Sequence, residues 1–569
     1  MNDASAIAPE KTQTHLLRDL VWWSIVAACG ALQAMASRFY LNPDGVSYLN
    51  ISDAYTRGDW AGAVNTYWSP LYPWLIGMIR RVYSWPMYWE SSVVHALNLA
   101  IFLASYGCFR VMLRELTQYQ RDKKSADPEH YFIDWSQGWE AVVAHVLFLW
   151  SGLMLIGLSL VTPDMLLAAE VYLIVALMLR ILRGRATWRT PILLGALLGL
   201  SYLTKAVMFP IAFLVIACTG WGRAKAWWTN RHRALCALTV LIVSAPQLIA
   251  MSREVGRPSF GENGRIAYAL YVNMYNQYWT GTPRERGTPA HAMKQVLSDP
   301  PVFEFATADP SSSYPFWDKP AYWLEGIKPR FNLSQQMITT QRQLSVYAAA
   351  FATLVLGSAI LVLMRVGGQR LDLIGMCIVA IGVFALYALV HVELRLVAAW
   401  GVVLFLAVSS SIAFRDDLSS RTSIRAVVVA LALWHAILTA NNVRSAAVEA
   451  WAQITGRRPH EYWTVAVALQ KLGLQRGEKV ASIGRSSESY WARLAGVQIS
   501  LEIPPQVEDR YWILDAAGRS RVHRVFTDRG ATMIVASFPP AGGGPGWIQL
   551  GSSAFYGFPL ELAHASERR

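Results

Sequence analysis

Charge is scarce in this chain. Only 16% of its 569 residues are charged, whereas soluble domains carry about 25%. Apolar residues make up 54% and fall in long blocks separated by short basic loops. That excludes one large soluble core, because such cores stop growing at roughly 250–300 residues. It is the pattern of a chain that crosses a bilayer many times. Cysteine is scarce as well. Cys29, Cys108, Cys218, Cys236 and Cys377 all lie in apolar blocks, which excludes a disulfide framework and a zinc-type spacing. Their expected role is helix packing. No internal repeat is visible, so the inverted-repeat signature of many transporters is missing. No Gly-rich dinucleotide spacing follows the strand-like 480–484, and the GRSS there reads as a turn. The polar N-terminus has no convincing cleavage site, so the first apolar block is expected to stay as an anchor.

What is present fits a bilayer. Many of the 24 tryptophans sit near block ends, where indole prefers the membrane interface. The net charge of +13 is accounted for by basic loops on one side, and nucleic acid is not an expected partner. Apolar segments of about 20 residues suggest about eleven spans, near 19–38, 90–113, 139–160, 165–183, 190–203, 206–221, 234–251, 344–364, 371–390, 396–414 and 425–441. A half-buried helix is added at 70–83. Five loops carry the basic residues: Arg114, Arg121, Lys123 and Lys124; Arg180, Arg183, Arg185 and Arg189; Arg223, Lys225, Arg231 and Arg233; Arg365 and Arg370; Arg415, Arg421 and Arg425. All five fall on the N-terminal side of the count, which makes that side cytoplasmic.

The expected fold class is therefore a polytopic α-helical membrane protein with a small C-terminal α/β domain outside the membrane. Residues 1–441 form the membrane module, with external loops 39–89 and 252–343. Residues 442–569 form the external domain. There 461–474 reads as a helix, 480–484 as a strand, 490–496 as a helix and 521–538 as a helix–strand pair.

The first external loop, YLNPDGVSYLNISDAYTRGDWAGAVNTYWSPLYPWLIG (40–77), carries the most information. Asp44 follows the first span at once, a helix-like 46–57 comes next, and then an aromatic and proline-rich run with Tyr67, Trp68 and Tyr72. Asp44 is either a functional carboxylate at the mouth of the bundle or the cap of the next helix. Val161-Thr162-Pro163-Asp164 places a second carboxylate in an external turn, where it is equally ordinary helix-start chemistry.

This order of motifs resembles the GT-C superfamily, and within it the glycosyltransferase 39 and aminoarabinose-transferase-like group. The likeness lies in Asp-Gly-x-x-Tyr after the first span, a juxtamembrane helix, Ser69-Pro70-Leu71-Tyr72-Pro73-Trp74, and the later Pro-Asp. The resemblance implies a membrane glycosyltransferase whose donor is a polyprenyl-phosphate-linked sugar. It implies Asp44 as the catalytic carboxylate, with Asp164 as the second. Where many relatives carry Lys-Pro-Pro, this chain has Ser69-Pro70-Leu71, so a phosphate-gripping lysine is missing there.

Lys205 and Arg395, the latter in His391-Val392-Glu393-Leu394-Arg395, are basic on the side where the positive-inside rule expects none. Both suit the phosphate of such a donor. The alternatives are a snorkelling Lys205 and an Arg395–Glu393 ion pair. Tyr48, Tyr67, Trp68 and Tyr72 are candidates for substrate contact, as are Glu262 and Arg265 in the long external loop 252–343. The alternative for that loop is a structural lid. His391 and Glu393 share a face only if extended, and are the candidates for a divalent metal ion, which some relatives bind and others do not need.

The expected reaction is inverting transfer of the sugar to an acceptor hydroxyl of a lipid, protein or polysaccharide at the external, periplasmic face of a bacterial inner (plasma) membrane. Two rivals remain: a transporter or flippase of a lipid-linked substrate, and a non-catalytic assembly protein of the cell envelope.

Overall fold

The computed structural model describes residues 7–220, 228–278, 286–305, 312–366 and 371–560. Arg223, Lys225 and Arg370, used above for orientation, and Trp279 and Ser311 of the long loop lie outside them.

Each expected span coincides with a helix. In chain order the helices are α1 (Ile7–Ala36), α2 (Pro43–Arg57), α3 (Leu71–Val82), α4 (Glu90–Ala126), α5 (Gly138–Trp150), α6 (Asp164–Leu182), α7 (Thr190–Thr204), α8 (Met208–Cys218), α9 (Asn230–Val255), α10 (Leu333–Leu363), α11 (Ile374–Ala388), α12 (Leu394–Ser410) and α13 (Leu418–Ile454). Seven stretches of described residues are long and apolar enough to cross a membrane. Four shorter apolar helices, α7, α8, α11 and α12, accompany them. Several helices overrun the apolar segment that announces them. α4 runs on to Ala126, α10 begins at Leu333 and α13 ends at Ile454. A helix needs apolar side chains only while it is in lipid, and hydropathy reads that part alone. The third span ends early instead. α5 passes into a π-helical turn, Ser151–Ile156, and Gly157 at φ +77° breaks it, a backbone angle that glycine adopts without a steric penalty.

Glycines also set how closely the spans approach. α7 lies on α9 with Gly195 and Gly199 at the contact, and a Cβ on Gly195 would stand 2.5 Å from the Cys236 carbonyl oxygen. Gly195→Val is therefore expected to cost about 1–3 kcal/mol by overpacking. Thermal unfolding in detergent should show it. Gly264→Ala, where a Cβ would meet nothing within 4 Å, should leave the midpoint unchanged.

Past α13 the chain forms α14 (Glu461–Lys471), α15 (Tyr490–Ala495) and α16 (Ala516–Asp528) on a seven-stranded sheet. Its strands are β1 (Lys294–Ser298), β2 (Pro301–Glu304), β3 (Lys479–Ile483), β4 (Gln498–Ile503), β5 (Ala531–Ser537), β6 (Ile548–Gln549) and β7 (Phe555–Pro559), in the order β1-β2-β4-β3-β5-β7-β6. β3 runs parallel to both β4 and β5, and the edges are antiparallel. β1 and β2 come from the long loop after α9, and Val302 of β2 shares a core with Ile483, Leu501, Phe526 and Ile534. The sheet is thus built from two parts of the chain, and it binds the long loop to the C-terminal domain.

Candidate active site

The site begins where α2 starts. Pro43 fits the first turn of α2 because its missing N–H has no helical partner there. Asn42 occupies the cap position, and its side chain accepts from the Val161 N–H at 2.9 Å rather than capping α2. The turn before α6 is held from a second side. His95 on α4 bonds the Leu158 and Tyr40 carbonyls at 2.9 and 2.8 Å, and Asn98 donates to the Leu160 carbonyl at 3.2 Å. The approach is close enough that a Cβ on Gly45 would stand 2.9 Å from Val161 Cβ, which accounts for the Asp-Gly pair. These contacts set Asp44 and Asp164 side by side, from segments far apart in sequence.

Both carboxylates meet one guanidinium. Arg395, in the first turn of α12, donates from Nη2 to Asp44 Oδ2 at 3.1 Å and from Nε to Glu393, and its Nε lies 3.5 Å from Asp164 Oδ2. Lys205, in the turn after α7, bonds the other oxygen of Asp164. Ser69 accepts the Ala206 N–H at 3.1 Å and so ties the first loop to the Lys205 turn. Asp164 is 1% exposed, Arg395 14%, Asp44 19%, Lys205 24% and Glu393 41%, so the cluster runs from a buried floor to an open rim. Among the described residues nothing bonds Asp44 Oδ1 or Arg395 Nη1.

Burial pushes the Asp44 carboxyl above its ordinary value, against the pull of Arg395, with Glu393 and Asp164 adding to the rise. Burial would lift Glu393 too, but its contact with His391 and the charge of Arg395 hold it down at about 2. Two carboxylates of one cluster are thereby driven apart, one toward proton uptake and one fixed as an anion.

The other candidates fall into three groups. Tyr48, one turn along α2 from Asp44, packs edge-on to Trp68 and Tyr72, with centroids 5.3 and 5.4 Å away. All three are buried, Tyr72 donates to Asn98 at 2.6 Å and Trp68 donates to the Trp317 carbonyl at 3.2 Å. They form the wall behind the carboxylates, whereas Tyr67 is only half-buried and its ring is an electrostatic neighbour of Asp44 and Glu393. Glu262 and Arg265 are spent on each other. Buried Glu262 accepts from Arg257, Ser259 and Arg265, its N–H donates to the Thr66 carbonyl, and Arg265 reaches the Ile327 carbonyl. None of these bonds touches the aspartates. His391 stacks on Tyr271 with centroids 3.9 Å apart and stands 3.7 Å from Glu393.

A divalent ion does not fit this arrangement. Asp44, Asp164 and Glu393 converge on the Arg395 guanidinium, so a cation already fills the place where a metal would sit. Among the described residues no group of three or more acidic, histidine or cysteine side chains could hold a metal.

Two residues at the site had no sequence signal of their own. Tyr271 presents an exposed aromatic face over His391 at the rim. Tyr387, near the end of α11, neighbours Asp164, Glu393 and Arg395, and its buried hydroxyl has no hydrogen-bond partner among the described residues.

No family model matches the chain, and no curated protein matches it. Among solved structures, the chain is similar to ArnT from Cupriavidus metallidurans in the apo state, with 13% identity, a TM-score of 0.48, and coverage of 98% of this chain and 99% of that one. It is similar to the same enzyme bound to undecaprenyl phosphate, with 14% identity, a TM-score of 0.47, and coverage of 95% and 98%. It is also similar to the Archaeoglobus fulgidus oligosaccharyltransferase tethered with an acceptor peptide, with 11% identity, a TM-score of 0.46, and coverage of 91% and 69%.

Proposed function

We propose that this membrane protein is an inverting glycosyltransferase that moves a sugar from a polyprenyl-phosphate carrier to an acceptor hydroxyl at the external face. One observation carries the reading: Asp44 and Asp164, from different loops, share Arg395, with Lys205 beside them at an open rim. The free Oδ1 of Asp44 takes the acceptor's proton as its oxygen attacks the anomeric carbon. The bond from that carbon to the phosphate oxygen breaks, and its electron pair leaves with the polyprenyl phosphate. Arg395, whose Nη1 is uncommitted, and Lys205 meet the charge that grows on the phosphate. Asp164 holds both cations in place. Tyr67 and Tyr271 offer aromatic faces to the sugar.

The test is purified protein in liposomes with a panel of radiolabelled polyprenyl-phosphate sugars and extracted envelope acceptors. Label should move to an acceptor. Label that crosses the bilayer still attached to its lipid would support a flippase instead. Neither transfer nor translocation with any donor would leave an assembly role.

The side of the membrane is open to a separate check. In a cysteine-free background, Gln506→Cys should react with a membrane-impermeant maleimide on intact cells, and Glu129→Cys only after permeabilisation. Both positions are exposed. The reverse pattern would put the site on the cytoplasmic face.

A further inference from the structure

The C-terminal domain has so far no part in the chemistry, yet a buried arginine of it lies against the helix that bears Asp44. Arg493, on α15, is 7% exposed. Its Nε and Nη2 donate to the two carboxylate oxygens of Glu90, at the start of α4, at 2.9 and 2.8 Å. Its Nη1 donates to Asn50 Oδ1 and to Asp53 Oδ2, both at 2.8 Å. Asn50 and Asp53 belong to α2. Arg80 of α3 completes the cluster, reaching Asp53 and, at 3.2 Å, Glu90, which is 0% exposed. Two arginines thus face two carboxylates, and the cluster is neutral.

The geometry makes this more than a domain contact. α2 has 15 residues and is not among the stretches long and apolar enough to span a membrane, so contacts rather than lipid set its position. Ser47 donates to the Trp317 carbonyl at 3.1 Å, and Trp317 belongs to the long loop that supplies β1 and β2. One turn further along the helix Arg493 holds Asn50 and, beyond it, Asp53. Asn50 lies six residues past Asp44, about 9 Å along the axis at 1.5 Å per residue. A forked guanidinium that bonds two elements at once fixes both position and rotation, as a lysine ammonium does not. We propose that Arg493 is a positioning residue for Asp44: through it the C-terminal domain latches α2, and the active site is complete only with that domain docked. This rests on the reading of Asp44 as the base.

Three variants separate the latch from docking. Asn50→Ala with Asp53→Ala cuts the link to α2 and keeps the Arg493–Glu90 pair. Arg493→Met cuts both, and Arg493→Lys keeps the charge without the fork. The readouts are hydrogen exchange of segment 43–57, the thermal midpoint, and kcat and KM for sugar transfer by the full-length protein. In the Asn50/Asp53 double variant, exchange in 43–57 should rise while segment 461–471 stays protected. kcat should fall on the order of 10²-fold, as expected for a displaced catalytic group, with KM little changed. Arg493→Lys should fall between wild type and Arg493→Met. Unchanged exchange in 43–57 would overturn the latch. Faster exchange with wild-type kcat, in a protein that Asp44→Asn inactivates, would overturn the positioning role. A wild type without transfer activity would overturn the functional reading itself, and the exchange result would still decide whether the latch exists.

Discussion

Asp44→Asn is expected to remove sugar transfer while the protein still inserts and folds. The asparagine keeps the size of the side chain and can accept from Arg395 as Asp44 Oδ2 does, but it cannot take a proton. General base catalysis supplies typically 10²–10⁴ in rate, and the loss should fall in that range or below detection. Intrinsic fluorescence and gel filtration in detergent should match wild type. The pH dependence provides a second readout. The base works only when deprotonated, so activity should rise with pH through the Asp44 ionisation. Burial raises that ionisation above the ordinary carboxylate value, which moves the acid limb of kcat/KM toward neutrality. Near-normal turnover by Asp44→Asn would remove Asp44 as the base.

Replacing Arg395 is expected to have the second largest effect, because one guanidinium serves three carboxylates. Arg395→Met leaves Asp44, Asp164 and Glu393 close together, and 1%-exposed Asp164 keeps only Lys205. Removing one partner of a buried ion pair costs about 3–5 kcal/mol. Arg395 is 14% exposed, so solvent screening should bring the stability loss below that range. The catalytic loss should be larger than the stability loss suggests, on the order of 10²–10³ in kcat, as for removal of one donor from a developing anion. Arg395→Lys is not conservative here, since an ammonium cannot present parallel N–H donors to Asp44 and Glu393 together. The sign of its pH effect is fixed. Arg395 favours the charged form of Asp44; weakening that contact favours the protonated form, so the acid limb should move to higher pH. A limb that stays in place or moves down would show that Arg395 does not act on Asp44. Lys205→Met serves as the contrast, because it strips a cation that pairs with Asp164 and not with Asp44 and should lower kcat without moving the Asp44 limb.

Much of this molecule is legible in its sequence, for a physical reason. Lipid imposes one strong rule, about 20 apolar residues per crossing, and every expected span coincides with a helix. Where helix ends differ, as at Ala126, Leu333 and Ile454, the extra turns lie in polar sequence to which that rule does not apply. One strand lies outside the expected elements: Gln498-Ile499-Ser500-Leu501-Glu502-Ile503 is β4, a period-2 pattern between a helix and a Pro-Pro turn. Strands β1 and β2 could not be read as parts of the C-terminal domain, because nothing in 294–304 states that it pairs with residue 501 or 502.

The site divides in the same way. Asp44, Asp164, Lys205 and Arg395 stand out as ionisable groups at loop–span junctions. That Arg395 lies on Asp44, 351 residues away, follows only from the packing of α12 beside the α6 turn. Glu262 and Arg265 have the composition of a substrate site, but Arg257, a near neighbour in sequence, closes the network on itself. Tyr271 and Tyr387 sit in aromatic-rich or apolar runs where many similar residues face lipid or core, and only the fold selects them.

The most direct test of the account is the anomeric configuration of the transferred sugar, read by NMR on product made from a donor of known configuration. A single displacement with Asp44 as base inverts the anomeric carbon, so product of the opposite configuration is expected. Retention would require a covalent or double-displacement route and would contradict the central role given to Asp44.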